Sequence, residues 1–240
     1  MTVTIDRLDA AYAAHVDWSL RTLLEGRGDC DWTTRLDVLQ PLLVAFEIAL
    51  AELWESFGIR PDRVVGQSMG EIAAACVAGV LDLESVALLA CHRGRMVARA
   101  TGRGAMAVVA MSRDEACERL AGFGPGIEIA GVNSPSTTIV SGDRDAVSAF
   151  VREIEVEGRF ARQLEVDFAS HCFHMDPLLD DFASGIASLA PGVAEHRQDA
   201  YRERNPQMLV PYLEDGEVGV AAAHRQIRAE IPHLDRDRYL

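Results

Sequence analysis

Ser68 stands in the middle of Gly66-Gln67-Ser68-Met69-Gly70, behind the apolar pair Val64-Val65 and ahead of the small-residue run Ile72-Ala-Ala-Ala-Cys-Val-Ala-Gly79. The pattern reads as a sharp turn from a strand end into a helix start, with a hydroxyl presented at its tip, and Gly66 and Gly70 are both required because the turn is tight and the strand and helix pack closely on either side of it. Such a turn places the Met69 backbone N–H at a helix N-terminus, where it can donate to an oxyanion. A serine hydroxyl is a poor nucleophile at neutral pH and needs a base beside it. The imidazole candidates cluster in Phe168-Ala169-Ser170-His171-Cys172-Phe173-His174. Arg93 and Arg95 add guanidinium groups, whose forks suit a carboxylate. Each feature also has a plain structural reading: a small-residue turn, a histidine in an exposed loop, and two arginines stabilising the end of a helix.

The elements that must carry these residues follow from periodicity. Leu8, Ala11, Tyr12, His15, Val16, Leu20 and Leu23 recur at helical spacing and predict a helix over 4–25, followed by a loop from Gly26 to Asp31. A strong helical pattern covers 38–57, with Pro41 in its first turn and Gly58 as its stop; Trp54 and Phe57 are expected in the core. The turn strand is expected at 62–66, and a further helix from Leu83 to Arg99. The texture then changes. Strands are predicted at Ala105–Met111, Ile127–Val132, Thr137–Ser141 and Ala161–Val166, with helices after Ser112 and over 143–157. Ser112-Arg-Asp-Glu115 has a capping-box pattern. The order βαββαβ is the ferredoxin-like split unit. A helix through about Leu189 follows the histidine loop, and residues 191–240 remain unassigned, with a short apolar stretch at Met208–Tyr212 and a polar helical pattern over 222–240.

Composition narrows the chemistry. The 240 residues suit one large domain or a domain with an insert. A net charge of −14 argues against nucleic acid and against a polybasic membrane contact. All 23 basic residues are arginine, which excludes a Schiff-base lysine and a P-loop lysine. Five scattered cysteines with no Cys-x-x-Cys pair suit a reducing cytoplasm rather than a disulfide framework. No stretch approaches a membrane span and no leader pattern opens the chain, so a cytoplasmic location is expected.

Gly-Gln-Ser68-Met-Gly-Glu-Ile-Ala-Ala-Ala, Gly-Arg-Gly-Ala-Met-Ala (102–107), Val-Asn133-Ser-Pro and Ala-Ser-His171 occur in this order around the βαββαβ unit. Together they resemble the malonyl-CoA:acyl carrier protein transacylase family, and specifically the acyltransferase domains of modular polyketide synthases, over about residues 5–190. The resemblance implies an α/β fold, with an α/β-hydrolase-like parallel-sheet core (1–104 and 168–190) and an inserted ferredoxin-like subdomain (105–167). It implies a Ser68–His171 dyad, with Arg93 on the second helix after the turn holding the substrate's free carboxylate and Arg95 as the fallback. Gln67, Met69, Phe168 and Ser170 are the expected substrate neighbours, and Asn133 is a candidate brace for the histidine loop. The implied activity moves a malonyl-type unit from CoA through an acyl-serine to the phosphopantetheine of an acyl carrier protein. No bound cofactor or metal is expected; CoA thioesters, a carrier protein and neighbouring synthase domains are the expected partners.

The extender unit follows from Phe168-Ala-Ser-His171, which matches three of four residues of the family's methylmalonyl tetrad Tyr-Ala-Ser-His and leans that way. Two departures accompany the resemblance. The family's Gly-Gln-Gly strand, which supplies an oxyanion donor, is not found in this sequence, and residues 191–240 do not match the family's final segment. The expectation is therefore a truncated or split domain with apolar surface left open and activity impaired. Two other readings stay open: a serine hydrolase or thioesterase using Ser68, Asp145 and His171, and an inactive acyltransferase remnant.

Overall fold

The computed structural model of the chain describes residues 2–28, 32–61 and 64–189. The described residues divide into two compact units: one holds those up to Ala98 together with Leu179–Leu189, and the other is Arg99–Leu178. Cys30, the first two residues of the expected turn strand and the patterns read beyond residue 190 lie outside the described residues.

The first unit is built of helices α1 (Thr2–Tyr12), α2 (Leu20–Leu24), α3 (Leu36–Ser56), α4 (Gly70–Val77) and α5 (Leu83–Ala98). The single helix expected over 4–25 is broken. The Asp9 carboxylate accepts from the Ser19 hydroxyl and from the Arg21 N–H, and Ser19 then caps α2 by accepting from Thr22 N–H. A side-chain acceptor thus replaces the helical carbonyls through the break, a competition that apolar spacing does not register. α3 packs on α4 and α5 through Val44, Ala45 and Ile48, and Tyr12 donates from its buried hydroxyl to the Pro41 carbonyl at 2.9 Å. Gly94 permits the close approach of α5 to the first turns of α3: a Cβ there would lie 3.1 Å from the Leu36 carbonyl oxygen and 3.2 Å from Pro41.

Trp54 and Phe57 do not join the core. They are 53% and 70% exposed and meet edge to face, with ring centroids 6.4 Å apart. Both continue an outward stripe of α3 through Phe46 and Leu50, opposite the residues that face α4 and α5. Among the described residues, this side of α3 is therefore open apolar surface. Val64–Gln67 leads into the turn without strand pairing, because no other strand is present among the described residues of this unit.

The second unit holds the four-stranded antiparallel sheet β2-β3-β1-β4, made of β1 (Ala105–Val109), β2 (Ile127–Ser134), β3 (Thr137–Gly142) and β4 (Ala161–Gln163). β1 pairs with β3 from Ala105 opposite Gly142 to Val109 opposite Thr138, and with β4 at Ala107 opposite Gln163. Helices α6 (Arg113–Leu120) and α7 (Arg144–Val156) complete the βαββαβ order. Phe150, Ile154 and Val147 of α7 pack with Ala107 and Val109 of β1 and Val140 of β3 into a separate core. Ser112 caps α6 by accepting from Glu115 N–H at 3.3 Å. The reciprocal half of the capping box is not made, since the Glu115 carboxylate accepts from Arg159 at 2.9 Å instead. A 3-10 turn at Phe173–Leu178 ends this unit, and α8 (Leu179–Gly185) returns to the first, stacking Phe182 on His92 at 5.4 Å.

Candidate functional site

The turn into α4 has the geometry that exposes a nucleophile. Ser68 holds φ 54°, the left-handed region that side chains avoid at a cost of about 1–3 kcal/mol. The strain is held by short-range bonds. The Glu71 carboxylate accepts from Ser68 N–H at 2.9 Å, Gly70 N–H donates to the Gln67 carbonyl at 3.0 Å, and Glu71 N–H donates to the Ser68 carbonyl at 3.2 Å. The Met69 N–H, just before α4, has no acceptor among the described residues and is free to meet an oxyanion.

The two glycines of the pentapeptide are not equivalent. A Cβ on Gly66 would lie 2.2 Å from the Gly70 carbonyl oxygen and 2.5 Å from Glu71 N, both main chain that cannot step aside. A Cβ on Gly70 would meet nothing closer than the Glu47 carboxylate at 3.9 Å, so the expectation that both glycines are required holds for Gly66 alone. Gly66→Ala should cost about 1–3 kcal/mol through overpacking, and each kcal/mol should lower Tm by roughly 2–4 °C in a chain of this size. Gly70→Ala should leave Tm unchanged or raised. Scanning calorimetry of the two variants checks the pair.

Arg93, on α5, reaches this turn: its guanidinium donates to Ser68 Oγ at 2.8 Å and, through its other terminal nitrogen, to Gln40 Oε1 on α3. Burial lowers the Arg93 pKa to about 10, opposed by the negative charge of buried Glu71, so the group remains cationic through the neutral range. Gln40 is a partner that sequence reasoning missed. Its only signal was its place in the first turns of α3, beside the close approach at Gly94. Arg95 faces elsewhere and donates to the His15 carbonyl at 2.8 Å, where it lines a depression of about 390 Å³ with Trp18 and Asp37. The fallback is therefore not the guanidinium at Ser68. A second depression of about 450 Å³ is lined by Glu47, Val64–Gln67, Met69 and the outer side of α4, without Ser68 or Arg93. Gln67 is exposed and Met69 half-buried against the core. Burial raises the thiols of Cys76 to about 11 and Cys91 to about 12, so neither offers a thiolate near neutral pH.

In the second unit, His171 holds φ 58°; with Ser68 it makes up the complete set of non-glycine residues at positive φ among the described residues. Ala169 and Cys172 on either side are fully buried, whereas Phe168, Ser170 and His171 are half-buried. Ser170 Oγ lies 3.4 Å from the Met106 sulfur. Asn133 does not brace this loop. It is exposed, at the register shift of β2 between Val132 and Ser134, and its side chain makes no hydrogen bond among the described residues. Asp145, the acid a hydrolase triad would need, is exposed in the first turn of α7, and its side chain likewise bonds to nothing described. Among the described residues no group of three or more acidic, histidine or cysteine side chains is placed to hold a metal ion, and no helix is long and apolar enough to cross a membrane.

The arrangement offers a strained serine beside a donor N–H and a buried cation, and a strained histidine on a clamped loop. Comparison with known proteins adds to it. A family model described as the acyl transferase domain matches residues 2–229. The polyketide synthase GfsE of Streptomyces halstedii is 45% identical over 183 residues, 76% of this chain and 5% of that protein. Among solved structures, the acyltransferase domain from module 8 of the salinomycin polyketide synthase superposes with a TM-score of 0.82 at 32% identity, covering 93% of this chain and 52% of that one. A malonyl-transacylase solved in complex with a type II polyketide synthase acyl-carrier protein has a TM-score of 0.75 at 21% identity over 96% of this chain and 78% of that one, a likeness of fold. The chain thus spans about 5% of the length of the curated synthase and about half the length of the solved synthase domain.

Proposed function

Because the chain belongs to the acyl transferase domain family, with its α/β fold, we propose that it moves a malonyl-type acyl group from CoA to the phosphopantetheine thiol of an acyl carrier protein, within a polyketide synthase assembly. The observation that carries this reading is the 2.8 Å bond from Arg93 to Ser68 Oγ. A cation fixed at the nucleophile favours an acyl group with a second, anionic end. In a malonyl unit one methylene separates the thioester carbonyl from the carboxylate, so a group bound at Ser68 carries its carboxylate to within reach of this guanidinium.

His171 takes the proton of Ser68 as Oγ attacks the thioester carbonyl, and the tetrahedral oxyanion is met by the Met69 N–H. Collapse expels the CoA thiolate, which takes the proton from His171, and leaves the malonyl ester on Ser68. In the second half-reaction His171 deprotonates the carrier's phosphopantetheine thiol. The thiolate attacks the ester, and the proton returns to Ser68 Oγ as it leaves. Arg93 grips the carboxylate with two parallel bonds throughout and fixes the acyl group for thiol attack.

Incubation with malonyl-CoA should add one malonyl group to Ser68, read by intact mass, and added holo carrier protein should discharge it. Absence of the adduct at saturating donor, or ester turnover that does not depend on Arg93, overturns the reading. Small Ser170 leaves room for an α-methyl group and supports a methylmalonyl preference. Ser170→Phe should then shift the methylmalonyl-to-malonyl loading ratio toward malonyl by about tenfold, within the range of a one-methylene discrimination. Competition between the two donors, with adducts resolved by mass, measures that ratio.

A further inference from the structure

His171 sits at positive φ in a stretch whose neighbours on both sides are tied to the sheet of the second unit. Upstream, the Gly102 N–H donates to the Asp167 carbonyl at 2.6 Å, and Ala169 packs so tightly on Gly104 that a Cβ there would lie 2.4 Å from the Ala169 methyl. Cys172 is fully buried, with the Ser141 hydroxyl of β3 donating to its sulfur at 3.5 Å. Downstream come two polar ties. The Glu128 carboxylate, on β2, accepts from Phe173 N–H at 3.1 Å. The His174 Nε2 and Asp143 Oδ1 at the N-terminus of α7 are 2.8 Å apart, with the His174 side chain largely buried and its ring tilted against Phe173 at 4.7 Å.

Left-handed backbone at a histidine relaxes unless its surroundings over-determine it. Burial fixes Ala169 and Cys172 in depth, and local bonds reach both carbonyls: the Cys172 thiol donates to the Ala169 carbonyl at 3.7 Å and the Met175 N–H to the Cys172 carbonyl at 3.0 Å. The ties at residues 173 and 174 fix the exit of the loop against the sheet, because the Phe173 N–H is bonded to Glu128 of β2 and the His174 side chain to Asp143 at the start of α7. We infer that Glu128 and the Asp143–His174 pair are positioning residues that hold His171 in its left-handed conformation and so aim its imidazole. This rests on the reading of His171 as the base of the acyl transfer. Neither group touches the acyl chain. His174, three residues from the catalytic candidate, serves as an anchor and not as a second base.

The test compares Glu128→Ala, Glu128→Gln, His174→Ala and His174→Gln in the full chain. A glutamine amide keeps an acceptor for Phe173 N–H at position 128, and at position 174 its terminal NH₂ stands near the place of Nε2 and donates to Asp143. Each alanine variant should lower the rate of malonyl loading on Ser68 by about 10²-fold, the scale of a misplacement of about 1 Å at a reacting group, with KM for malonyl-CoA unchanged. Each glutamine variant should recover most of the rate. Alanine variants that load at the wild-type rate, or losses that follow Tm and are not recovered by glutamine, overturn the inference. The wild-type chain and His171→Ala serve as reference. If the wild type forms no adduct, or His171→Ala loads as fast as the wild type, it is the underlying acyl-transfer reading that fails.

Discussion

Ser68→Ala should abolish the malonyl adduct, and His171→Ala should leave Ser68 in place but lower its acylation by about 10⁴–10⁶-fold, the range seen when the nucleophile or base of such a unit is removed. The two losses should not add, because a base without a nucleophile and a nucleophile without a base are equally idle. The double variant should therefore be no slower than Ser68→Ala. The backbone sharpens the expectation. Among the described residues, Ser68 and His171 are the ones that occupy left-handed backbone without being glycine, and neither conformation stabilises the fold. Ser68→Gly and His171→Gly, which relieve the strain, should raise Tm or leave it unchanged while removing activity. A stabilised, inactive pair is what a strained catalytic turn predicts. Two variants that lose stability together with activity would instead mark the strain as incidental. Thermal melts beside intact-mass assays distinguish the two outcomes.

Much of this was legible in the residues. The βαββαβ order came from alternating apolar strands and the capping pattern at Ser112, and the sheet follows it strand for strand, with β4 shorter than expected at Ala161–Gln163. The serine turn came from a pentapeptide whose first glycine is required by main-chain contact. Arg93 was legible through the family resemblance, whose arginine lies on the second helix after the turn, 25 residues on from Ser68 in this chain, and its guanidinium reaches the turn. What stayed hidden depends on partners distant in sequence. The break between α1 and α2 is made by one aspartate that accepts from two groups 10 and 12 residues away, inside an otherwise helical apolar pattern. Trp54 and Phe57 have core-like types, but their side of α3 is decided by which other elements cover it. Glu128 and Asp143 reach the histidine loop across 45 and 31 residues, and nothing in their local sequence separates them from ordinary surface carboxylates.

Arg93→Ala should cost malonyl loading about 10²–10³-fold, corresponding to the 2–5 kcal/mol lost when one partner of a desolvated charge pair is truncated. Two effects enter that loss and must be separated. Buried Glu71 loses the positive charge that faces it, and Gln40 and Ser68 Oγ lose a donor. The fold is therefore weakened as well, as happens whenever one member of a buried pair is removed. Stability cannot choose between donors, however. Acetyl-CoA offers the same thioester to Ser68 without a carboxylate, so its loading should be spared or improved, and the malonyl-to-acetyl ratio should fall by nearly the whole factor. Arg93→Lys keeps the charge and should recover little of the ratio, because a point ammonium cannot make two parallel bonds to a carboxylate while also holding Gln40. Equal losses for both donors would reduce Arg93 to a structural brace of the turn, and full recovery by lysine would mean that charge alone, not the fork, selects the substrate.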